Sequence, residues 1–516
     1  MRALFNWTIL LCLVSLNKNI YSQTLSPYSL PEPVKIELDR LNEAYNILDK
    51  FSNNVWEGWN DYLSYPILMN FPNGLRVVVG HQNPPAPFVL YPYLKIHGLT
   101  IHIDTSNLND YNIELPLLCG GGISDLGTFN RKPVKIVNLL LSPLVSSEMI
   151  DSAYFKAERH IMIFIHELMH CYEEKILKKQ MSNLRIIPDL NYAVYSDIEG
   201  QALSMAFEQT SLEETIPYLK DFCVARSWIN KGLHGIEKEQ LSANELSEGL
   251  ADFSEFIILK CLKGNLENHL SFGIDPEYNQ FANSKVYIDD YLINLKKISG
   301  KTLDFFGKIY SYGCFQALLL ERYFPDWQKE VSKGASLDKV LRNKLSISPS
   351  DSLSVINRFK IIYNIDKLKS KHNKIITQRD ETFEMFKERK GRSYIINTSL
   401  VQQFIPSIID TSALNYNLGQ RHMYPKGIGR IHFDEIDISL DSIPVEIYNS
   451  FNLKVIDTNT QNENKPYSLT YKTNDLKGNY YNAIIETPVF TLKAPKVSIT
   501  ENSEEIIIFI QTRTLK

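Results

Sequence analysis

His166-Glu167-Leu168-Met169-His170 is the stretch of this chain from which most of its predicted architecture and chemistry follow. Around it, residues 153–178 repeat their apolar positions with the 3.6-residue period of an α-helix. Because four residues make about one helical turn, His166 and His170 project from one face and can both offer an imidazole nitrogen to a single Zn²⁺. Glu167 can then reach a water at the metal. The stretch therefore predicts a helix that carries two metal ligands and a general base.

The alternative is a helix with two incidental histidines and a surface glutamate. Residues 163–165 and 171–172, which flank the motif, are uncharged. This is expected of an active-site helix, because nearby charges would screen the ion or compete for it. His160 lies on the same helix, and we expect it to be a packing or surface residue and not a ligand. The flanks thus favour a metal site at His166 and His170.

A zinc hydrolase needs a third protein ligand and one open position, and the sequence offers two similar candidates on later predicted helices. The nearer is Glu199, within residues 197–203, and the farther is Glu248, within residues 245–253. Both stand in an E-G-x-A pattern. Small residues after the glutamate allow its helix to approach the active-site helix closely, so both are sterically acceptable.

The surroundings of the two glutamates differ. Glu248 is followed at i+4 by Asp252, a carboxylate that could accept the spare N–H of a zinc-bound histidine and fix its tautomer. Glu199 has Leu203 at that position and could instead pair with Arg226 on the neighbouring predicted helix. The sequence therefore favours Glu248 as the third ligand and keeps Glu199 as the alternative. In that alternative Glu248 is a structural or substrate-side carboxylate.

These residues resemble the gluzincin branch of zinc metallopeptidases, in which HExxH is followed by a glutamate on a later helix. Residues 248–251 are similar to the E-G-x-A element of the aminopeptidase-N family, and the spacing from Glu248 to Asp252 resembles the ExxxD of thermolysin-like and CAAX-prenyl-endopeptidase-like enzymes. The gap from His170 to Glu248 is much longer than in aminopeptidase N, whereas the gap to Glu199 is closer to that of the glycyl-aminopeptidase relatives.

A further element of the resemblance is the Y-x-x-G segment, residues 310–313, at the start of a predicted helix. In the aminopeptidase-N family the tyrosine of this segment stabilises the oxyanion, and the resemblance implies that role for Tyr310, with Tyr312 as the substitute. Losing one such donor typically lowers the rate by ~10²–10³. The likeness to poorly characterised exported bacterial proteins with these motifs covers roughly residues 55–345.

The composition excludes several classes of protein. The chain has 516 residues, 44% of them hydrophobic and 22% charged, as in ordinary globular proteins and unlike disordered, collagen-like or multi-span membrane chains. The formal net charge is −4, so no global basic field would hold a nucleic acid or an anionic membrane surface. We expect no nucleic-acid partner.

The N-terminus predicts export. Residues 1–23 combine Arg2 with an apolar run that is shorter than the ~20 residues needed to cross a bilayer, which favours a cleaved signal peptide over a membrane anchor. The mature chain would be periplasmic or secreted. It would keep an odd five cysteines, which is no disulfide framework. One bridge is possible, but Cys171 and Cys314 lie in apolar helical contexts that favour buried thiols.

Along the chain, the pattern predicts four regions after the signal peptide. Residues 24–145 read as an α+β lobe that includes the catalytic sheet, with Gly120-Gly121-Gly122 as a turn, and residues 146–345 read as a mostly helical lobe. Residues 346–392 are charged and helical, which indicates a solvated connector, and residues 393–516 alternate like strands. The predicted fold class is α+β, a zincin-like metallopeptidase domain followed by a β-rich module.

The function predicted from these features is an exported zinc metallopeptidase that acts on a peptide or protein substrate through metal-activated water. In it His166, His170 and Glu248 hold Zn²⁺, Glu167 is the base and Tyr310 steadies the oxyanion. A catalytically inactive zincin scaffold, which binds through the C-terminal β module, is the alternative from another class. A hydrolase of a different bond that uses the same metal is a further one.

Overall fold

A computed structural model gives the fold as a mixed α/β chain with a small sheet near the N-terminus, a central set of helices and a β-rich region at the C-terminus. The residues it describes are 30–106, 117–129, 132–143, 156–177, 186–262, 278–279, 281–282, 284–302, 304–347, 349–400, 407–408, 416–418, 421–424, 430–433, 436–440, 444–448, 452–457, 467–474, 478–501 and 505–511. The predicted signal peptide lies outside them. Within them, no helix has both the length and the apolar character of a bilayer span.

Helices account for most of the described chain outside the two sheets. In order they are α1 (Glu32–Val55), α2 (Lys156–Ile176), α3 (Leu190–Glu208), α4 (Leu212–Gly232), α5 (Gly235–Leu262), α6 (Ser284–Ser299), α7 (Phe305–Tyr323), α8 (Trp327–Ser332), α9 (Leu337–Leu345), α10 (Pro349–Ile361) and α11 (Ile365–Lys387). A 3₁₀ turn at Tyr62–Ser64 follows α1. The predicted helical character of the central region is thus confirmed for the residues described.

The N-terminal sheet has seven strands. They are β1 (Ile67–Asn70), β2 (Arg76–Val79), β3 (Val89–Ile96), β4 (Leu99–Asp104), β5 (Leu117–Gly120), β6 (Ile123–Phe129) and β7 (Lys132–Pro143). Their order is β3-β4-β2-β1-β7-β5, with β6 also paired to β7. Only the β1–β7 pair is parallel among these strands. All seven strands lie within residues 24–145, the region predicted as an α+β lobe.

One edge of this sheet is formed by β5 and β6 together. Gly120 pairs with Leu140 and Ile123 with Val137, so the same antiparallel register continues across the two intervening glycines. The amide of Asn138 donates to the carbonyl of Gly122 at 2.8 Å, which keeps the pairing intact there. The turn predicted at residues 120–122 is therefore wrong. Gly121 and Gly122 continue an edge strand that runs from residue 117 to residue 129.

Helix α2 crosses the centre of the molecule, between this sheet and the helices α1 and α5. Its side chains Phe164, Ile165 and Leu168 are fully buried in the main hydrophobic core. Burial of such side chains stabilises a helix by about 1.5–3 kcal/mol for each residue. The apolar flanks of the motif therefore fix α2 in the interior and determine which of its faces carries His166 and His170.

The helix that carries residues 310–313 is followed by a short break. α7 ends at Tyr323 and α8 begins at Trp327, because Pro325 has no amide hydrogen to donate and Asp326 adopts a left-handed φ of 71°. The predicted connector is also not solvated along its length. In α11, His372 is fully buried with its Nε2 2.9 Å from Asp197 Oδ2, so this helix packs on α3.

The C-terminal region is a 13-stranded sheet with its own apolar core. Its strands are β8 (Arg392–Leu400), β9 (Ser407–Ile408), β10 (Tyr416–Leu418), β11 (Arg421–Tyr424), β12 (Arg430–Phe433), β13 (Ile436–Leu440), β14 (Val445–Tyr448), β15 (Asn452–Asp457), β16 (Ser468–Thr470), β17 (Thr473–Asn474), β18 (Asn479–Glu486), β19 (Phe490–Glu501) and β20 (Glu505–Gln511). The strand-like pattern predicted after residue 393 is confirmed.

Cys171 and Cys314, which we expected to be buried thiols, are both free thiols and both buried. A buried thiol in an apolar helix packs as a small hydrophobic side chain. Both residues therefore contribute to the core.

Candidate metal centre

The two histidines of α2 lie side by side. Their ring centroids are 4.8 Å apart and the ring planes are nearly perpendicular, as expected for residues one helical turn apart. His166 is buried and His170 is nearly so. Both rings turn their Nε2 atoms towards α5.

Glu248 of α5 supplies the third group. Its Oε2 is 3.7 Å from His166 Nε2 and 3.5 Å from His170 Nε2. These distances are too long for good hydrogen bonds, and Glu248 Oε2 is buried with no hydrogen-bond partner. Ligand atoms around a tetrahedral ion with bonds of about 2.0–2.2 Å lie about 3.4 Å apart. Two imidazoles and one carboxylate at these separations could together hold one metal ion.

The other ring nitrogen of each histidine meets a carboxylate. His166 Nδ1 is 2.9 Å from Glu255 Oε1, and His170 Nδ1 is 3.0 Å from Glu173 Oε2. An Nδ1–H that donates to a carboxylate leaves the Nε2 lone pair free for a cation and makes it more basic. Each imidazole is therefore held in the tautomer that a metal ligand requires.

Asp252 is farther from His166 than Glu255 is. Its Oδ1 lies 3.5 Å from His166 Nδ1, so Glu255 makes the shorter contact with the nitrogen that we expected Asp252 to orient. Together, His166, Asp252 and Glu255 form a second group whose ligand atoms lie close enough to hold a metal. This group shares His166 with the first one.

Glu255 and Glu173, which the sequence did not single out, are themselves held in place. Glu255 Oε2 accepts hydrogen bonds from Tyr291 of α6 at 2.6 Å and from Arg159 of α2 at 3.1 Å. Glu173 Oε2 accepts one from Ser247 of α5 at 2.6 Å. Glu173 is detectable from its i+3 spacing to His170. Glu255 is two turns beyond Glu248, and nothing local links it to Tyr291.

Glu167 lies against the edge strand. A Cβ added at Gly121 would stand 2.6 Å from both Cγ and Oε1 of Glu167, so only a glycine fits there without displacement. Glu167 Oε2 is buried and has no hydrogen-bond partner. Burial raises the pKa of Glu167, although the neighbouring His170 and His166 oppose the shift. Glu167 therefore has one carboxylate oxygen that is buried and not hydrogen-bonded, next to the two histidines.

Tyr310 and Tyr312 occupy different environments. The ring of Tyr310, half-buried, lies 6.1 Å from that of His166 and nearly parallel to it. The Tyr312 hydroxyl is fully buried and donates to the carbonyl of Ser196 at 2.6 Å. Of the two candidate tyrosines, the structure brings Tyr310 to the histidines and Glu248.

Burial and carboxylates together set the charges of the centre. Burial disfavours the charged form of His166, but Glu248 and Glu255 outweigh it and raise its pKa to about 10. Burial opposes ionisation of Glu248, yet the two imidazoles hold its pKa well below the usual range. Burial and the Glu255 carboxylate raise the pKa of Asp252 to about 7. The carboxylates therefore favour positive charge at this point.

Glu199 lies elsewhere. Its carboxylate binds Arg226 of α4 through Nε and, at 3.1 Å, Nη2. Arg226 also donates to Glu245 of α5 at 2.7 and 2.8 Å. All three are buried, and Glu199 belongs to neither of the metal-compatible groups found among the described residues.

Two glycines bring Glu248 and Tyr310 together. A Cβ at Gly249 would collide with the backbone of Gly313, and a Cβ at Gly313 would collide with the carbonyl of Glu245. The backbones of α5 and α7 are therefore in direct contact, which small residues permit. His160, in contrast, is buried with its Nδ1 2.9 Å from the Glu37 carboxylate of α1, a packing position away from the ligand atoms.

No model of a protein family, no curated protein and no solved structure matches this chain. The geometry of the site therefore carries the functional interpretation.

Proposed function

We propose that this protein is a zinc-dependent metallohydrolase, and specifically a gluzincin-like peptidase with a zincin-like catalytic domain. The observation that carries the proposal is the convergence of His166 Nε2, His170 Nε2 and the unpartnered Glu248 Oε2 at 3.5–3.7 Å, beside a buried glutamate. That donor set matches the ligands of a catalytic zinc site with one open position.

In the proposed enzyme His166, His170 and Glu248 hold the metal. When bound there, Zn²⁺ acts as a Lewis acid and lowers the pKa of a bound water towards ~7. Glu255 and Glu173 orient the two imidazoles through their Nδ1 atoms. Asp252, 3.5 Å from His166 Nδ1, adds negative charge to the same side.

Glu167 is the proposed general base. It takes a proton from the attacking water and passes it to the leaving amine. Its raised pKa supports this role, because a base works best when its pKa is near the working pH. Tyr310 is the proposed oxyanion donor, with its ring beside His166 and its phenol near Glu248.

The edge strand supports a peptide as the substrate. Residues 117–129 pair only with β7 among the described strands, so their outer backbone groups are available to an extended chain. An extended peptide can add to such an edge through main-chain hydrogen bonds. Gly121, which has no side chain, would let that peptide approach Glu167 closely. Export, which the N-terminal sequence predicts, would put the proposed substrate outside the cytoplasm.

The test compares the purified chain with Glu167→Gln. The parent should bind one equivalent of zinc and cleave casein, and a chelator should stop the cleavage. Glu167→Gln should keep the zinc and lose cleavage, because it removes the proton acceptor and leaves the ligands. Glu174→Gln is the matched control, since Glu174 is exposed on the same helix and should leave cleavage unchanged.

Two outcomes contradict the proposal. Glu167→Gln protein that cleaves casein at the parental rate would remove Glu167 from its role. A parent that stays inert after zinc is added would favour the inactive scaffold that binds through its C-terminal module.

A further inference from the structure

Arg159 stands on the same face of α2 as His166. The two residues are seven positions apart, which is about two helical turns or ~10.5 Å along the axis. Arg159 is also in the first turn of α2, where the helix dipole adds positive potential. An anion that binds in the cleft near His166 would therefore be attracted towards this end of the helix.

One edge of the Arg159 guanidinium is used and the rest is available. Nη1 donates to Glu255 Oε2 at 3.1 Å, and 49% of the Arg159 side chain is exposed. Within the described part of the chain, Nε and Nη2 have no acceptor. Glu255 keeps Arg159 charged, because its carboxylate raises the pKa of Arg159. The arginine can accordingly bind a second carboxylate.

The edge strand and α2 run in the same direction. Cys119 lies near enough to Arg159 and Glu167 for both charges to act on its thiol, and Gly121 contacts Glu167. Farther along, Lys135 bridges Asp125 of β6, at 3.4 Å, and Glu174 near the end of α2, at 3.7 Å. The strand thus passes from the Arg159 end of the helix to its C-terminal end.

This direction gives the polarity of a peptide that adds to the edge in the antiparallel sense. Antiparallel pairs outnumber parallel ones about two- to three-fold, and an antiparallel peptide on β5–β6 would run from the Asp125 end to the Cys119 end. Its residues after the cleaved bond would lie towards Arg159. An extended chain advances ~3.4 Å for each residue, so Arg159 is about two or three residues from the attacked carbonyl.

We propose that Arg159 determines specificity by binding a substrate carboxylate two or three residues C-terminal to the cleaved bond. The inference rests on the proposed function, since it names a substrate group for the same cleft. The carboxylate is either the C-terminus of a short peptide or the side chain of an aspartate or glutamate. Both offer the planar pair of oxygens that a guanidinium binds with charge-assisted hydrogen bonds.

A different role for Arg159 is to neutralise Glu255 and so to position His166. That role would change zinc binding or turnover for every substrate equally. A specificity role changes the ratio between a carboxylate and its uncharged counterpart. The ratio is therefore the quantity to measure.

The experiment uses the full zinc-loaded chain with Glu167→Gln, which is expected to bind peptides without cleaving them. A tryptic digest of casein is prepared untreated and with all carboxyl groups converted to methylamides. Both are passed over the immobilised protein, and retained peptides are quantified by mass spectrometry. Peptides without Asp or Glu carry only the terminal carboxylate, so their retention separates the two sources. The comparison protein is the double variant Glu167→Gln, Arg159→Gln.

We expect amidation to lower retention about 10- to 100-fold on Glu167→Gln protein and by less than about 3-fold on the double variant. Arg389→Gln, which removes the same charge from an exposed position, is the matched control and should keep the parental ratio. Zinc content is measured for each protein, so that a loss of metal is not mistaken for a loss of specificity.

The inference is overturned if Glu167→Gln protein retains no untreated peptide, or if it retains untreated and amidated peptides equally. It is also overturned if the double variant still prefers untreated over amidated peptides to the same degree. Cleavage by the chain with Glu167 intact is assayed on both digests. Selective retention without cleavage would overturn the peptidase proposal and leave Arg159 only as a residue that binds peptide carboxylates. Equal cleavage of both digests would support the peptidase proposal and overturn the Arg159 assignment.

Discussion

Glu199 and Glu248 have the same local sequence, E-G-x-A on a helix, and similar burial, yet they meet opposite kinds of partner. Glu199 is bound by the guanidinium of Arg226, which also binds Glu245. Glu248 faces two neutralisable imidazoles and keeps one oxygen without a hydrogen bond. A carboxylate whose positive partner is built into the protein has no need of an external cation.

A buried carboxylate is available to a metal when no permanent cation of the protein compensates its charge. A buried acid must have its charge compensated, and Arg226 does this permanently because a guanidinium stays protonated. Imidazoles can be neutral, so His166 and His170 can release their protons when a divalent ion binds beside Glu248. The ion cluster at Glu199 is expected to support the fold, and the one at Glu248 to support metal binding.

The largest expected effect comes from removing the permanent cation. Arg226→Met leaves Glu199 and Glu245 buried without their partner, and breaking such a cluster typically costs about 3–5 kcal/mol. We expect that loss in the free energy of unfolding, measured by chemical denaturation at pH 7. Zinc bound per folded molecule should stay at one.

Arg389→Met is the control for this change, because Arg389 is exposed. If Arg226→Met keeps the parental free energy of unfolding and instead loses its zinc, the distinction between the clusters at Glu199 and Glu248 is wrong.

The next effect concerns zinc affinity. Glu248→Gln should weaken zinc binding by more than about 100-fold, because even changes behind the ligands cost about 10- to 100-fold. Glu199→Gln should stay within about 3-fold of the parent. Competition with a chelating dye measures both. Equal losses, or a larger loss for Glu199→Gln, would make Glu199 the third ligand after all.

The carboxylates behind the histidines should matter less than the ligands. Glu173→Gln should weaken zinc binding about 10- to 100-fold, since it removes the charged acceptor of His170 Nδ1. The same titration checks it. Glu174→Gln, the neighbouring exposed position, is the matched control, and a similar loss there would mean that overall charge and not orientation is responsible.

The smallest expected effect is a pH dependence of stability. Burial raises the pKa of Glu199 to about 7 against the pull of Arg226, with Glu245 adding to the rise. Its folded pKa exceeds its unfolded value of about 4.5, so the contribution of Glu199 to stability is complete below about pH 4.5 and is lost as pH rises through 7. Glu199→Gln should flatten this decline, because the group that binds the proton more tightly in the folded state is removed.

Thermal and chemical unfolding between pH 4.5 and 8 measure this slope. The exposed Glu213→Gln is the control and should leave the slope unchanged. A Glu199→Gln protein with the parental pH profile would mean that Arg226 holds Glu199 ionised throughout.

Local pattern was sufficient for much of the architecture. The 3.6-residue period predicted α2 because its apolar face must be buried, and the same period placed both histidines on one side. Pattern failed where partners are distant in sequence. The glycines at 120–122 looked like a turn, because nothing local shows that β7 pairs on both sides of them. The connector looked solvated, because its charges gave no sign that His372 would meet Asp197.

The residues of the candidate site also fall into those that local pattern predicts and those that depend on distant partners. The spacing of His166, Glu167 and His170 is a property of one helix and is legible in the sequence. The sequence favoured Glu248 because Asp252 follows it at i+4, but it kept Glu199 as the alternative because both stand in the same E-G-x-A pattern. Glu255 was overlooked, because its role depends on how α5 lies against α2 and α6.

The sequence by itself determined that two imidazoles and a carboxylate share a buried helical turn, because side-chain direction in a helix follows from its period. The tertiary structure alone decided which distant glutamate faces them, since that depends on how three helices cross. Gly249 and Gly313 permit the crossing, and Arg226 withdraws the competing carboxylate. Interactions between helices far apart in the chain are set by packing and charge compensation, which no single segment encodes.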